Sequence, residues 1–338
     1  MRTPEDVEAD AATDQAGSTT DVSQQQAPPE IQAPREVVGR TPWEIFWRQF
    51  RRDRWALAGV VIVVIMVLLA IFAPVFAKIS GHGPNEVNLK ALDEFGLPSG
   101  PSSSYWFGVD QTGRDLFVRV MYGARTSLII AFFATGLALV IGVVLGLIAG
   151  FYRGKVDTVI SRATDVVLSL PILLLALGLA SACGATKEGC LGGLIKPGLM
   201  LVSLIIGLFS WPYIARIIRG QVLSLREKEF VEASRSLGSS NMRIVMREIL
   251  PNVAAPIIVF TTLIIPSNIL FEAGLSFLGV GVPDTTPSWG AMLSSAGDAF
   301  TYAPWLMIFP GLFLFMTTLA FNLVGDGLRD ALDPRTSA

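Results

Sequence analysis

The chain of 338 residues holds one histidine, His82, and two cysteines, Cys183 and Cys190. A single imidazole excludes histidine-built metal centres and histidine-dependent nucleophile triads, and two thiols cannot complete a four-ligand zinc site. Nucleotide-binding loops are missing too. The nearest approach, Gly150-x3-Gly154-Lys155, has the wrong glycine spacing and is followed by Val156 rather than serine or threonine. No GxSxG or HExxH segment occurs. Charge is scarce as well: Asp, Glu, Lys and Arg make up 16% of residues, where about a quarter is usual in a soluble domain. The chain is expected to be no enzyme and to hold no metal or cofactor of its own.

What remains is apolar. Hydrophobic residues make up 51% of the chain, mean hydropathy is positive, and runs of near-spanning length recur. This predicts an all-α integral membrane protein in a lipid bilayer. Six transmembrane helices are expected at about 57–76, 127–151, 164–182, 198–215, 253–271 and 305–323, the third and fourth interrupted by Pro171 and Pro212. Residues 1–40 differ in kind, with Glu5, Asp6, Glu8, Asp10, Asp14, Asp21 and Glu30 and too little apolar area to offset ordering. They read as a disordered cytoplasmic tail. Between tail and first span, 41–55 reads as an amphipathic interfacial helix. Thr41-Pro42-Trp43-Glu44 is a capping box, and Trp43, Phe46, Trp47 and Phe50 form a stripe that dips into lipid opposite Arg48, Arg51, Arg52 and Arg54.

Charge sign sets the orientation. Nineteen Lys and Arg fall on the side of the termini and seven on the other, which predicts both termini in the cytoplasm. Cys183 and Cys190 then face the oxidising side, where a bridge between them is plausible and an unbridged pair equally so.

The segment 216–251 is polar, Arg-rich and patterned. Ser224 with Glu227 reads as a capping box opening a helix of about 225–237, and Gly238 occupies the place of a left-handed cap. Met242, Val245, Met246 and Ile249 continue as an amphipathic helix ending at Pro251. Such a knob at the cytoplasmic face suits the reception of force from a soluble partner, and Glu232 can pair with a partner's arginine. The competing reading is an ordinary solvated helical hairpin.

Glu232-Ala233-Ser234-x3-Gly238-x11-Leu250-Pro251 resembles the EAA motif of permease subunits of bacterial ATP-binding-cassette importers, with Ser234 for the second alanine and Glu248 at a position often apolar. Trp106-Phe107-Gly108-Val109-Asp110-x2-Gly113-Arg114-Asp115 and Glu272-Ala273-x-Leu275-Ser276-Phe277-Leu278-Gly279, followed by Pro287-x-Trp289-Gly290, resemble the C-type subunits of the dipeptide/oligopeptide/nickel subfamily. So does the ending Asn322-x2-Gly325-Asp326-x-Leu328-Arg329-Asp330. The resemblance covers about 42–335. It implies an importer-permease fold over 56–335 with a coupling-helix loop at 216–251, in the bacterial inner membrane. It also implies partners: a homologous second permease subunit, two cytoplasmic ATPases that bind ATP and magnesium, and an extracytoplasmic peptide-binding protein that carries most of the selectivity. No nucleic-acid partner is expected. Nickel is the alternative cargo.

Blander roles are open for several of these residues. Gly113, Arg114 and Asp115 read as an outward turn with a local ion pair, Trp106 and Trp289 as interface-belt aromatics, and Asp165 as an interfacial carboxylate. Glu272 reads as satisfying a loop backbone. An ion-coupled carrier would prefer midplane carboxylates and repeated halves, and a membrane enzyme a polar constellation inside the bundle; neither is visible.

Overall fold

A computed structural model of the protein describes residues 42–184, 190, 195 and 198–332. The tail assigned to 1–40 and the N-cap Thr41 lie outside the described residues. Among those described, helices and connecting turns account for the fold and no strand forms. Five helical runs are long and apolar enough to cross a bilayer, at Arg54–Ile71, Leu116–Tyr152, Leu199–Leu225, Asn241–Phe277 and Trp305–Leu332. A bent pair over Gly154–Ser169 and Ile172–Cys183 reaches that length and apolarity only when its two halves are taken together, which gives up to six.

The first helix, α1 (Pro42–Phe50), is short, and its apolar stripe is only partly free for lipid: Phe46 and Phe50 pack on Ala56 and Ala331. It does not run into the first span. Asp53 breaks the chain, and its carboxylate accepts the N–H groups of Trp55 and Ala56 at 2.8 and 3.1 Å to start α2 (Arg54–Ile71). The expected span to 76 is cut as well. Pro74 restarts the helix as α3 (Ala73–Ser80), because a proline is at home in a first turn and disruptive further in.

The second span begins at Leu116, eleven residues before the expected start, giving a 37-residue helix, α4 (Leu116–Tyr152). At 1.5 Å per residue it is about 55 Å long, well beyond the hydrocarbon core. Hydropathy missed this part because it carries Arg119 and Arg125. Gly142, Gly146 and Gly150 line one face of α4 against α7 (Leu199–Leu225). A Cβ there would come within 2.6 Å of Ile214, 2.8 Å of the Ala215 carbonyl and 2.6 Å of Val222. This is the small-residue seam that lets membrane helices approach backbone to backbone.

The third expected span is not straight. α5 (Gly154–Ser169) and α6 (Ile172–Gly184) meet at 82°, with Leu170 extended before Pro171. The fourth, by contrast, passes Pro212 unbroken and continues ten residues beyond Ala215.

After α7 come α8 (Glu229–Ser236) and α9 (Asn241–Ile244), a π turn over Val245–Ile249, and α10 (Leu250–Phe277). Asn241 to Phe277 is one continuous run, so the expected stop at Pro251 does not occur. The π turn widens the helix just before the proline ring. The Leu250 N–H reaches back to Val245, and the Asn252 side chain donates to the Glu248 carbonyl at 2.6 Å. The same turn rotates the apolar face, so Met242 and Met246 point outward while Ile244 and Ile249 are buried. α11 (Trp289–Ala296) and α12 (Trp305–Leu332) complete the chain, α12 running nine residues past the expected end of the sixth span.

Candidate functional site

The 226–240 turn is built by backbone geometry. α8 ends in a Schellman motif: the Ser239 N–H donates to the Ser234 carbonyl at 3.1 Å and the Gly238 N–H to Arg235 at 3.0 Å. This closure requires a left-handed residue, and Gly238 supplies it at φ 78°. The start of α8 departs from expectation. Ser224 lies inside α7 and forms no capping box, and α8 begins at Glu229 without a side-chain cap. One α8 side chain is buried. Val231 joins the buried apolar cluster that also holds Val222, Ile244 and Ile249, leaving Glu232, Ala233 and Leu237 on the outside. Leu237 and Met242 are 87% and 69% exposed, an apolar tip on an otherwise charged turn.

Below the turn, α5 and α7 are joined by charge. Arg153 pairs with Glu227, Asp157 takes a two-pronged bond from Arg219 with its second prong at 2.8 Å, and Asp165 accepts from Arg216 at 2.8 Å. The first and last of these pairs are exposed and contribute about 0–1 kcal/mol each. Arg226 adds a hydrogen bond to the Phe151 carbonyl and lies over that ring. Arg153 has φ 54°, the one non-glycine among the described residues with positive φ. Glu232 borders a cleft lined by Arg153, Arg226, Glu227 and Arg235.

At the other end of α4 the expected turn and its local ion pair are present and extend into a partly buried network. Gly113 is left-handed at φ 76°, and a Cβ on it would overlap the Asn88 carbonyl. Asp110 accepts from the Arg114 N–H at 3.0 Å and from its Nε at 2.6 Å; Arg114 reaches on to Asp284 at 2.6 Å. Asp115 caps α4 through the N–H groups of Phe117 and Val118, and its second oxygen lies 3.0 Å from His82 Nδ1. Arg119, 1% exposed, bonds Asp284 at 2.8 Å, the Pro84 carbonyl and Asn85. Partial burial opposes ionisation of Asp284, but the hydrogen bond from Arg114 and the charge of Arg119 outweigh it, leaving the carboxyl below the ordinary carboxylate range.

Glu272 is fully buried in α10 and accepts from Ser127 at 2.9 Å and Ser276 at 2.8 Å. It meets no loop backbone directly; Ser276 does, accepting from Val282 at 3.2 Å. Trp289 is no belt aromatic: it is fully buried and donates to the Val120 carbonyl at 3.2 Å. Asn268 bridges Thr135 and Ser210 across three helices at 2.8 and 3.0 Å. It opens on a cavity of about 510 Å³ walled by Ile172, Tyr213, Phe260 and Phe271. Cys183 and Cys190 are bonded as a disulfide with Cα atoms 4.8 Å apart.

Thus Gly113, Arg114, Asp115 and Glu272 sit towards one end of the long helices and Glu232, Ala233, Ser234, Gly238, Leu250 and Pro251 at the other. Val231 and Asn268 carried no sequence signal; Arg119 did, as a continuation of the Gly113-Arg114-Asp115 segment that resembles the permease signature.

Residues 142–338 match the family described as the inner membrane component of binding-protein-dependent transport systems. Residues 41–94 match the N-terminal transmembrane domain of oligopeptide transport permease C. The dipeptide transport system permease protein of Alkalihalophilus pseudofirmus is 40% identical over 308 residues, covering 91% of this chain and 93% of that one. The glutathione transport system permease protein of Escherichia coli O6:K15:H31 is 42% identical over 296 residues, covering 88% and 91%. An inward-facing structure of the MetNI methionine ABC transporter shares the fold, with a TM-score of 0.53 at 19% identity over 64% of this chain and 96% of its own. With a family match over more than half its length and relatives aligned nearly end to end, the chain belongs to the family of inner-membrane components of binding-protein-dependent transport systems.

Proposed function

We propose that this chain is one of two permease subunits of an ATP-driven importer of di- and oligopeptides, that it forms half of the translocation path, and that it is coupled to cytoplasmic ATPases through the 226–240 turn. The observation that carries the reading is that turn, a rigid, glycine-closed helix with exposed Leu237, Met242 and Glu232, held to the bundle by Val231. An apolar tip ringed by charge suits a groove on a soluble partner.

ATP and magnesium would then be held by two partner subunits, and peptide delivered by an extracytoplasmic binding protein. The excess of Lys and Arg around the turn supports placing it, and both termini, in the cytoplasm. The cavity beside Asn268 and Tyr213 is largely apolar with a few hydroxyl and amide groups, which suits passage of varied peptides. The dipeptide and glutathione relatives favour peptide over nickel as cargo.

The test is reconstitution with a second permease subunit, the ATPases and a binding protein in proteoliposomes. Peptide-stimulated ATP hydrolysis and uptake are expected only in the complete assembly and are lost in Glu232→Arg or Gly238→Val. Uptake by the subunit on a proton gradient without ATP would overturn the reading, and stimulation by nickel but not peptide would reassign the cargo.

A further inference from the structure

We infer that α5 is a relay: a three-rung ladder of ion pairs ties it to α7, so that displacement of the 226–240 turn is carried along it to the bend at Pro171 and the cavity wall beyond. The inference rests on the coupling reading of the turn and names the part of the bundle that moves with it.

The rungs are Arg153–Glu227, Asp157–Arg219 and Asp165–Arg216. Positions rise along α5 as they fall along α7, so the strips are antiparallel. The Arg153–Glu227 rung lies just beyond the ends of the two helices, and the two inner rungs are staggered, about 12 Å of rise apart on α5 and about 5 Å on α7, a difference the long arginine side chains span. α5 also packs against the end of α4, but shallowly. Of its sixteen residues only Thr164 is buried, and Val159 and Val166 are exposed. Compare the α4–α7 seam, where three glycines leave no room for sliding. That seam is the fixed frame; α5 is held to it by contacts that are individually weak, salt-screened and able to re-form in a shifted register.

Both ends of α5 are articulated. At the turn end, Arg153 and Gly154 lie at φ 54° and 60°, and Arg153 itself grips Glu227 near the start of the 226–240 turn. Arg226 straps the same corner to the Phe151 carbonyl. At the far end Leu170 is extended and the chain bends by 82° into α6, whose first residue, Ile172, walls the cavity beside Ser210 and Asn268. A force entering at Glu227 is therefore carried by the ion pairs as far as Asp165 and by the helix and its bend from there to that wall, with a joint at each end.

The experiment uses the complete complex in proteoliposomes. Asp165→Arg and Arg216→Asp are made singly and together. Each single reversal is expected to cut peptide moved per ATP hydrolysed several-fold while complex yield and maximal ATPase rate hold, and the double reversal to restore most of it. Spin labels at exposed Leu174 on α6 and Ile308 on α12 should change separation on vanadate trapping in the parent and the double variant, but not in either single. If a reversal blocks assembly, Asp165→Asn removes the rung without inverting it and is read the same way. An unchanged transport-to-ATP ratio with an unchanged label shift in the singles overturns the relay. So does a fall in yield, ATPase rate and uptake together at constant ratio. If Glu232→Arg couples normally, the reading of the turn itself fails; if it uncouples while the ladder variants do not, only the relay does.

Discussion

Arg119 on α4 and Asp284, between α10 and α11, meet at 2.8 Å although 165 positions separate them. The contact closes one end of the bundle, and the two partners contribute unequally. Arg119 is buried and also satisfies the Pro84 carbonyl and Asn85, whereas the Asp284 side chain is 57% exposed. Arg119→Met should therefore destabilise the subunit by on the order of 3 kcal/mol, because the Pro84 carbonyl and Asn85 lose their buried donor. Asp284→Asn should cost under ~1 kcal/mol. Thermal unfolding in detergent would show a large drop for the first and little for the second.

The same carboxylate sets a pH dependence. Asp284 is held below its unfolded value by Arg114 and Arg119, so its contribution is complete above about pH 3.9 and is lost as pH falls through the lower folded value. Melting temperature should be insensitive to this group from neutral pH down to about 4 and fall below that. Asp284→Asn should flatten that acid limb; an unchanged limb would show that other groups produce it.

The seam between α4 and α7 gives a contrast within one helix. Gly146→Val forces a branched side chain into the Ala215 carbonyl and Ile218, and overpacking of this kind costs roughly 1–3 kcal/mol. Gly136 on the same helix has nothing within 4 Å of a would-be Cβ, so Gly136→Ala should be neutral or stabilising by up to ~1 kcal/mol. Yield and melting temperature should fall for Gly146→Val and hold or rise for Gly136→Ala.

The bond between Cys183 and Cys190 tests topology as well as stability. In intact cells a membrane-impermeant maleimide should label neither cysteine until an impermeant reductant is added, and then both. Labelling that needs permeabilised cells would place this loop inside and reverse the proposed orientation. Reduction of so short a loop should cost about 2–3 kcal/mol.

Spans were legible wherever apolar composition alone holds a helix, as in Val60–Leu69 or Leu137–Ile148. Gly238 was legible because a left-handed cap leaves a local mark. The ends were not. Hydropathy stops at the first arginine, and Arg119 belongs inside α4 only because Asp284, far off in sequence, neutralises it. Pro212 and Pro251 look like Pro171 in sequence, yet only Pro171 bends its helix by 82°. The π turn before Pro251 and the packing around Pro212 are tertiary and leave no local trace. Trp289 was misplaced for the same reason: its burial depends on Gly123 of α4 making room for the ring and on Gly290 letting α11 close onto Ala273 of α10. At the site, Glu232 and Gly238 announced themselves by spacing, whereas Val231, which anchors them, is one valine among many.

The single wide turn at Val245–Ile249 adds one residue to a rod that otherwise repeats every 3.6. That extra unit swivels everything after it by about 100° relative to everything before. One continuous helix can thus offer its methionines outward at its base and its asparagine and glutamate inward along its shaft, so the base and the shaft answer to different neighbours while moving as one body.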